Sequence, residues 1–203
     1  MRGPALAALA VVLVGAGCSG PTLETDQSLA TIVGQTTHAG QPMEVFPIET
    51  VRSAGAHNQP HTQPAGCSFV ATGLMPAILE GHPAAMGLSP QRVNVTLVEM
   101  ESVEAAKQQI AERDKVLDSG VCRQVTTSAG GTSTTSTITE QKTDTQGLES
   151  VRMLVSTAQV SGQTSQSASL LGRKGSVLVL VNSSNSADER ALREIASSIG
   201  GRL

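Results

Sequence analysis

The chain predicts an α+β domain, a two-layer sandwich in which a mainly antiparallel sheet carries helices packed on one face. Three stretches predict it. Residues 91–99, QRVNVTLVE, alternate apolar Val93, Val95 and Leu97 with Arg92, Asn94 and Thr96, the period of a strand with one buried face. Ser102 then caps a helix reaching about Leu117, with Glu104 in the first turn where a negative charge suits the helix dipole. Residues 176–181, SVLVLV, are apolar nearly end to end, as expected of a central strand covered on both sides or crowded by a helix.

The other elements follow in order. Residues 28–34, SLATIVG, can begin a helix or an edge strand, and PMEVFPI is interrupted by Pro42 and Pro47. Residues 52–64, RSAGAHNQPHTQP, read as a loop. Residues 68–80 read as a helical or mixed segment stopped or kinked at Pro76. Along the helix that Ser102 opens, Val103, Ala106, Ile110 and Leu117 form an apolar stripe, while Glu101, Lys107, Glu112, Arg113 and Lys115 fall elsewhere. Gly120 stops it. Residues 128–137, SAGGTSTTST, read as a Ser/Thr/Gly turn between strands, followed by candidate strands near 134–141, 149–157 and 163–171. Ser186 and Glu189 fit a capping box that opens a last helix, with Leu192, Ile195 and Ile199 on one stripe and Gly200-Gly201 at its end. Short turns between the later strands favour an antiparallel meander.

Composition narrows the partners. A net charge of -3 supplies no field to recruit nucleic acid. With no Trp, no Tyr and two Phe, at Phe46 and Phe69, the core must be aliphatic, and stacking platforms for bases are absent.

The N-terminus has the parts of an export signal: Arg2 in a short basic start, an apolar stretch over residues 5–14, and small residues at Gly15, Ala16 and Gly17. The apolar stretch is shorter than the roughly 20 residues a membrane span needs. Val14, Gly15, Ala16, Gly17 and Cys18 together resemble the lipobox of bacterial lipoproteins, with a departure at Gly15, where the pattern prefers Leu or another aliphatic. The resemblance implies a diacylglyceryl group on the Cys18 thiol and an anchor in the lipid bilayer. The expected organisation is a signal peptide over 1–17, a lipidated N-terminus and tether over 18–27, and one extracytoplasmic domain over 28–203. A secretory signal cut nearby, leaving Cys18 unmodified, is the alternative. Three cysteines in an exported chain leave one over after pairing. With Cys18 lipidated, Cys67 and Cys122 are free to pair in an oxidising compartment, and closing so long a loop would stabilise by about 4 kcal/mol on the chain-entropy model.

The order of elements, the residues Val14 to Cys18, the segment RVNVTLVEMESVEAAKQQIAERDKVLDSGVC and the closing GSVLVLVNSSNSADERALREIASSIGG together resemble the small cell-envelope lipoproteins of mycobacteria and related actinobacteria. Their domains are similar to the extracellular sensor domain of the PknH-type receptor kinases. That resemblance implies a sensor-like domain outside the cytoplasmic membrane. The kinase domains carry two disulfides, whereas this chain can form one.

No catalytic pattern is present: no Gly-x-Ser-x-Gly elbow, Ser-x-x-Lys pair, His-Glu-x-x-His or Cys-x-x-Cys. GRKGS at 172–176 lacks the phosphate-loop spacing and reads as a hairpin turn. His57 and His61 could share a metal on a helix face, but Pro60 and its polar neighbours favour a solvated loop. His38 and His82 stand alone; Glu99 and Glu101, two apart at a strand end, would share a face on a strand as paired carboxylates do, though a solvated edge is the favoured reading; and Arg123 and Arg152 could line a cleft for an anion. No cofactor, metal or catalytic residue is expected. The favoured reading is a non-catalytic domain binding an envelope protein or small ligand. A carrier of a lipid or other apolar molecule, suggested by the aliphatic core, and a hydrolase with dispersed residues such as His57 or His82 remain alternatives.

Overall fold

The computed structural model describes residues 27–57, 60–160, 163–184 and 188–203. The expected signal peptide, Cys18 and nearly all of the tether lie outside them, as does Ser186. Nine strands form one sheet in which every neighbouring pair is antiparallel. Its order is β3 (Glu44–Phe46), β5 (Ala84–Leu88), β6 (Val93–Glu99), β11 (Val177–Ser183), β10 (Gln163–Lys174), β9 (Glu149–Val160), β8 (Thr132–Lys142), β7 (Gln124–Ala129) and β4 (His61–Gln63). A two-stranded ribbon, β1 (Thr37–His38) with β2 (Gln41–Pro42), stands apart from it.

The α+β class is therefore as expected, but the layering differs. Helices cover both faces of the central strands. On one side α1 (Gln27–Gln35) and α6 (Glu189–Gly200) pack Leu29, Val33, Leu192, Ile195 and Ile199 against Val177, Val179 and Val181. On the other, α2 (Ile48–His57), α4 (Met75–Leu79) and α5 (Val103–Asp118) pack Ile48, Ile78 and Ile110 against Leu178 and Leu180. The cause is β11 itself. Its residues are apolar at odd and even positions alike, so both faces need cover. That cover comes from the stretch that was open between helix and strand, which is α1, and from the expected loop, which up to His57 is α2.

The helix ends follow the chain's capping chemistry. Ser102 Oγ accepts from the Ala105 N–H at 3.1 Å, and Gly120 takes the left-handed conformation past the end of α5 (φ 71°). At α6 the cap is Asp188, whose Oδ1 accepts from the Ala191 N–H at 3.0 Å. The 68–80 segment breaks at Gly73 (φ 55°), between α3 (Ser68–Thr72) and α4. Pro76 sits in the first turn of α4, where its missing N–H costs nothing.

Towards β7 the helical cover thins. There Cys67, Leu117, Cys122, Val125, Ile138 and Leu154 make a third cluster. The reverse face of these strands presents hydroxyls and amides that pair across strands: Thr126 with Thr135 at 2.9 Å, Ser128 with Ser133 at 2.7 Å, and Gln159 with Thr164 at 2.8 Å. The Ser/Thr segment is thus strand for most of its length, and only Gly130 and Gly131 (φ 56° and 80°) make the turn. GRKGS is the β10–β11 hairpin, with Gly175 at φ 57°. Among the described residues no helix is long and apolar enough to cross a membrane.

Gly147 seats the loop before β9 on the end of α6. Its φ is 82°, and a Cβ there would lie 2.8 Å from the backbone carbon and oxygen of Gly200. Gly147→Ala is expected to cost about 1–3 kcal/mol. A urea midpoint equal to wild type would show that this contact yields freely.

Candidate ligand cleft

On the α2 side the helices meet along part of their length, where Arg52 Nε donates to the Ile78 carbonyl at 3.0 Å, and part from one another beside it. Thr50, Val51, Ala54 and Gly55 of α2 face Ala71, Thr72 and Met75 of the α3–α4 segment across an open cleft of about 450 Å³, with Phe46 of β3 at its wall. The small side chains of Ala54, Gly55 and Ala71 leave the space between the walls unfilled, while at Gly55 itself α2 comes close to α4, where a Cβ would meet Met75 Sδ at 2.8 Å. Phe46, Val51 and Met75 make the lining apolar, and among the described residues none that lines it has an ionisable side chain. The volume and lining are those of small-ligand sites, which run about 300–1,000 Å³.

Thr72 and Met75 also bound a second cavity of about 230 Å³, between α3–α4 and the sheet. Its walls are Phe69, Leu74, Met86 and Leu180; its floor is polar, with Asn94, Thr96, Ser169 and Asn182. Strand register explains the floor. Leu88 pairs with Asn94, Asn94 with Asn182, and Asn182 with Ser169. Directly opposed residues in an antiparallel sheet project to the same face, so these side chains form one row across β5, β6, β11 and β10. The two aromatic residues of the whole chain line these two cavities, Phe46 in the first and Phe69 in the second. Beyond the row, Asn94 and Asn182 border a wider depression of about 610 Å³ that also takes in Glu44, Ser89 and Arg92.

The chain matches no protein-family model and none of the curated proteins. Among solved structures it is similar to the extracellular domain of PknH from Mycobacterium tuberculosis, with a TM-score of 0.54 at 13% identity over 89% of this chain and 92% of that one. The fold is that of the PknH extracellular domain. A putative uncharacterized protein of Mycobacterium smegmatis is a second match, with a TM-score of 0.41 at 12% identity over 80% of this chain and 85% of the other. The resemblance to PknH-type domains expected from the order of elements therefore holds at the level of fold.

Within this PknH-like fold the residues singled out in the sequence are dispersed. Cys67 and Cys122 form a disulfide, S–S 2.05 Å and Cα–Cα 5.6 Å, that ties the start of α3 to the turn after α5. His57 ends α2 and His61 begins β4. His38 Nδ1 lies 3.0 Å from Ser89 Oγ. His82 sits between Glu80 and Glu101, each 3.8 Å from a ring nitrogen, while the Glu99 N–H donates to the Pro83 carbonyl. Among the described residues no three His, Cys, Asp or Glu side chains gather as metal ligands.

Arg123 is exposed at the end of the turn carrying Cys122. Arg152 is no anion site: it pairs with Asp114 at 3.2 Å, Asp118 at 2.8 Å and Glu140 at 2.5 Å. The hydrogen bond to Asp118 is the first cause holding its guanidinium above the usual arginine range. Arg113, placed off the apolar stripe of α5 in the sequence, is in fact buried on it. Its Nη1 donates to the Leu171 carbonyl at 3.0 Å, its Nη2 to the Ser150 carbonyl at 3.1 Å and its Nε to Asp114 at 2.8 Å. The β9–β10 ladder shifts register there, with Ser150 at φ 53°, and the buried guanidinium occupies the carbonyls beside the irregularity. Burial pulls it below the usual arginine range, partly opposed by Asp114. Its position at the i+3 step between Ile110 and Leu117 was the signal available in the sequence.

Proposed function

We propose that this chain is a lipoprotein anchored through Cys18 at the outer face of the cytoplasmic membrane, with a non-catalytic, sensor-like domain that captures a ligand in the cleft between α2 and α3–α4. The observation that carries the reading is the cleft lining: apolar, open, and without an acid, base or thiol among the described residues that line it. The buried Cys67–Cys122 bridge supports an oxidising compartment, and the likeness in fold to an extracellular domain supports the same side of the membrane. The carrier reading draws on the same cleft and differs in whether the cargo is handed on.

Two measurements test the proposal. Cells fed a labelled fatty acid are expected to label the wild-type chain and leave Cys18→Ala unlabelled; equal labelling of both would remove the anchor. Native mass spectrometry of the full chain taken from its own membranes is expected to show a bound small molecule that is lost when Ala54→Phe fills the cleft. A single apo mass in both would remove the binding role, and turnover of the bound molecule would make the domain an enzyme.

A further inference from the structure

We infer that the occupant of the cleft is an amphiphile, with a single aliphatic chain lying between α2 and α3–α4 and an uncharged, hydrogen-bonding head group resting on the Asn94–Asn182–Ser169 row. This rests on the ligand-binding reading above and adds the chemical class.

Three observations carry it. First, the two cavities are neighbours, with Ala71, Thr72 and Met75 lining both, so a chain that displaces the flexible Met75 side chain from this shared wall leaves an apolar channel and meets a polar floor. A wholly apolar molecule would waste that floor, since amides covered without partners lose their hydration. Second, the floor is built of donors and acceptors together. The Asn94 Oδ1 already accepts from Thr96 Oγ1 at 3.0 Å, which leaves its amide NH₂ to donate, and the half-buried Asn182 amide makes no side-chain hydrogen bond among the described residues. A carboxamide offers one acceptor and two donors, the complement of a hydroxyl or amide head group. Third, among the described residues no cation lines the second cavity. In the depression beyond it Glu44 and Arg92 carry opposite signs, so nothing there favours a phosphate or carboxylate head, which would need a cation or a cluster of N–H groups to offset its desolvation.

The test uses membranes from cells making the full chain and three photoactivatable probes with the same diazirine-bearing alkyl chain: a monoacylglycerol, the free fatty acid, and the corresponding acyl glycerol phosphate. After irradiation, labelled peptides are mapped by mass spectrometry. The expected result is labelling of the 46–55 and 68–79 segments, strongest with the monoacylglycerol. Asn182→Leu should cut that labelling by up to about tenfold, the worth of one well-made hydrogen bond, and erase the preference over the other two probes. Ala54→Phe should abolish labelling by all three. Circular dichroism and melting temperature establish that both variants fold. Equal labelling by charged and uncharged probes, or an Asn182→Leu variant with the wild-type preference, overturns the head-group assignment while leaving the cleft a binding site. Labelling of neither segment by any probe overturns the ligand-binding reading with it.

Discussion

Replacing Cys67 and Cys122 together by alanine is expected to destabilise the domain by about 4 kcal/mol, the loop-closure contribution for residues so far apart. For a domain of this size that corresponds to a fall of about 10 °C in melting temperature. Both sulfurs lie in the cluster with Leu117, Val125, Ile138 and Leu154, and the two cysteines are 0% and 2% exposed. The bridge is therefore hidden from reductant while the domain is folded. Thermal unfolding followed by circular dichroism checks the first statement, and the rate of thiol release at a mild and a denaturing temperature checks the second. A melting temperature within about 2 °C of wild type would mean that the packing of α3 against α5 holds this end of the molecule without the bond.

The second large effect belongs to Arg113. Arg113→Met keeps the volume of the side chain but leaves the carbonyls of Leu171 and Ser150 without a donor and removes one of the two guanidinium partners of Asp114. Removing one member of a buried ion pair typically costs about 3–5 kcal/mol. The side chain is 5% exposed, so solvent offers little relief. Arg113→Lys should recover only part of the loss, because an ammonium cannot span both carbonyls and the carboxylate in the way the planar fork does. Urea unfolding of the three proteins ranks them; wild-type stability in Arg113→Met would mean that water replaces the guanidinium without penalty.

Where one physical signal dominated, the elements were legible. Val93, Val95 and Leu97 announce β6 by alternation, and Ser102 announces the start of α5 by its cap. β7 and β8 were obscured because their Thr and Ser residues hydrogen-bond to each other across strands, so neither face carries the apolar period that marks a strand. The segment SAGGTSTTST therefore has the composition of a turn and the backbone of a ladder. α2 was hidden because its outer residues are polar and its inner ones, Val51, Ala54 and Gly55, face a cleft that no partner helix fills.

The cleft itself could not be read from the chain. It depends on which faces of α2 and α3–α4 meet, and on Asn94 and Asn182 falling opposite one another although far apart in sequence. Phe46 and Phe69 were visible as the two aromatics, but nothing in their spacing showed that they would line adjoining cavities.

The sheet ends on strands of three residues at both sides, β3 beyond β5 and β4 beyond β7. An exposed strand edge invites another chain to add a strand, and peptides are often bound in that way. At β3 and β4 the backbone available for such pairing is so short that a second copy or an extended peptide could gain only a few hydrogen bonds there, whereas residues 163–167 of β10 and 138–142 of β8 each pair with β9 alone and leave a longer flank. A chain adding to this sheet would find its longest open backbone on those flanks of β8 and β10, and not at the two end strands.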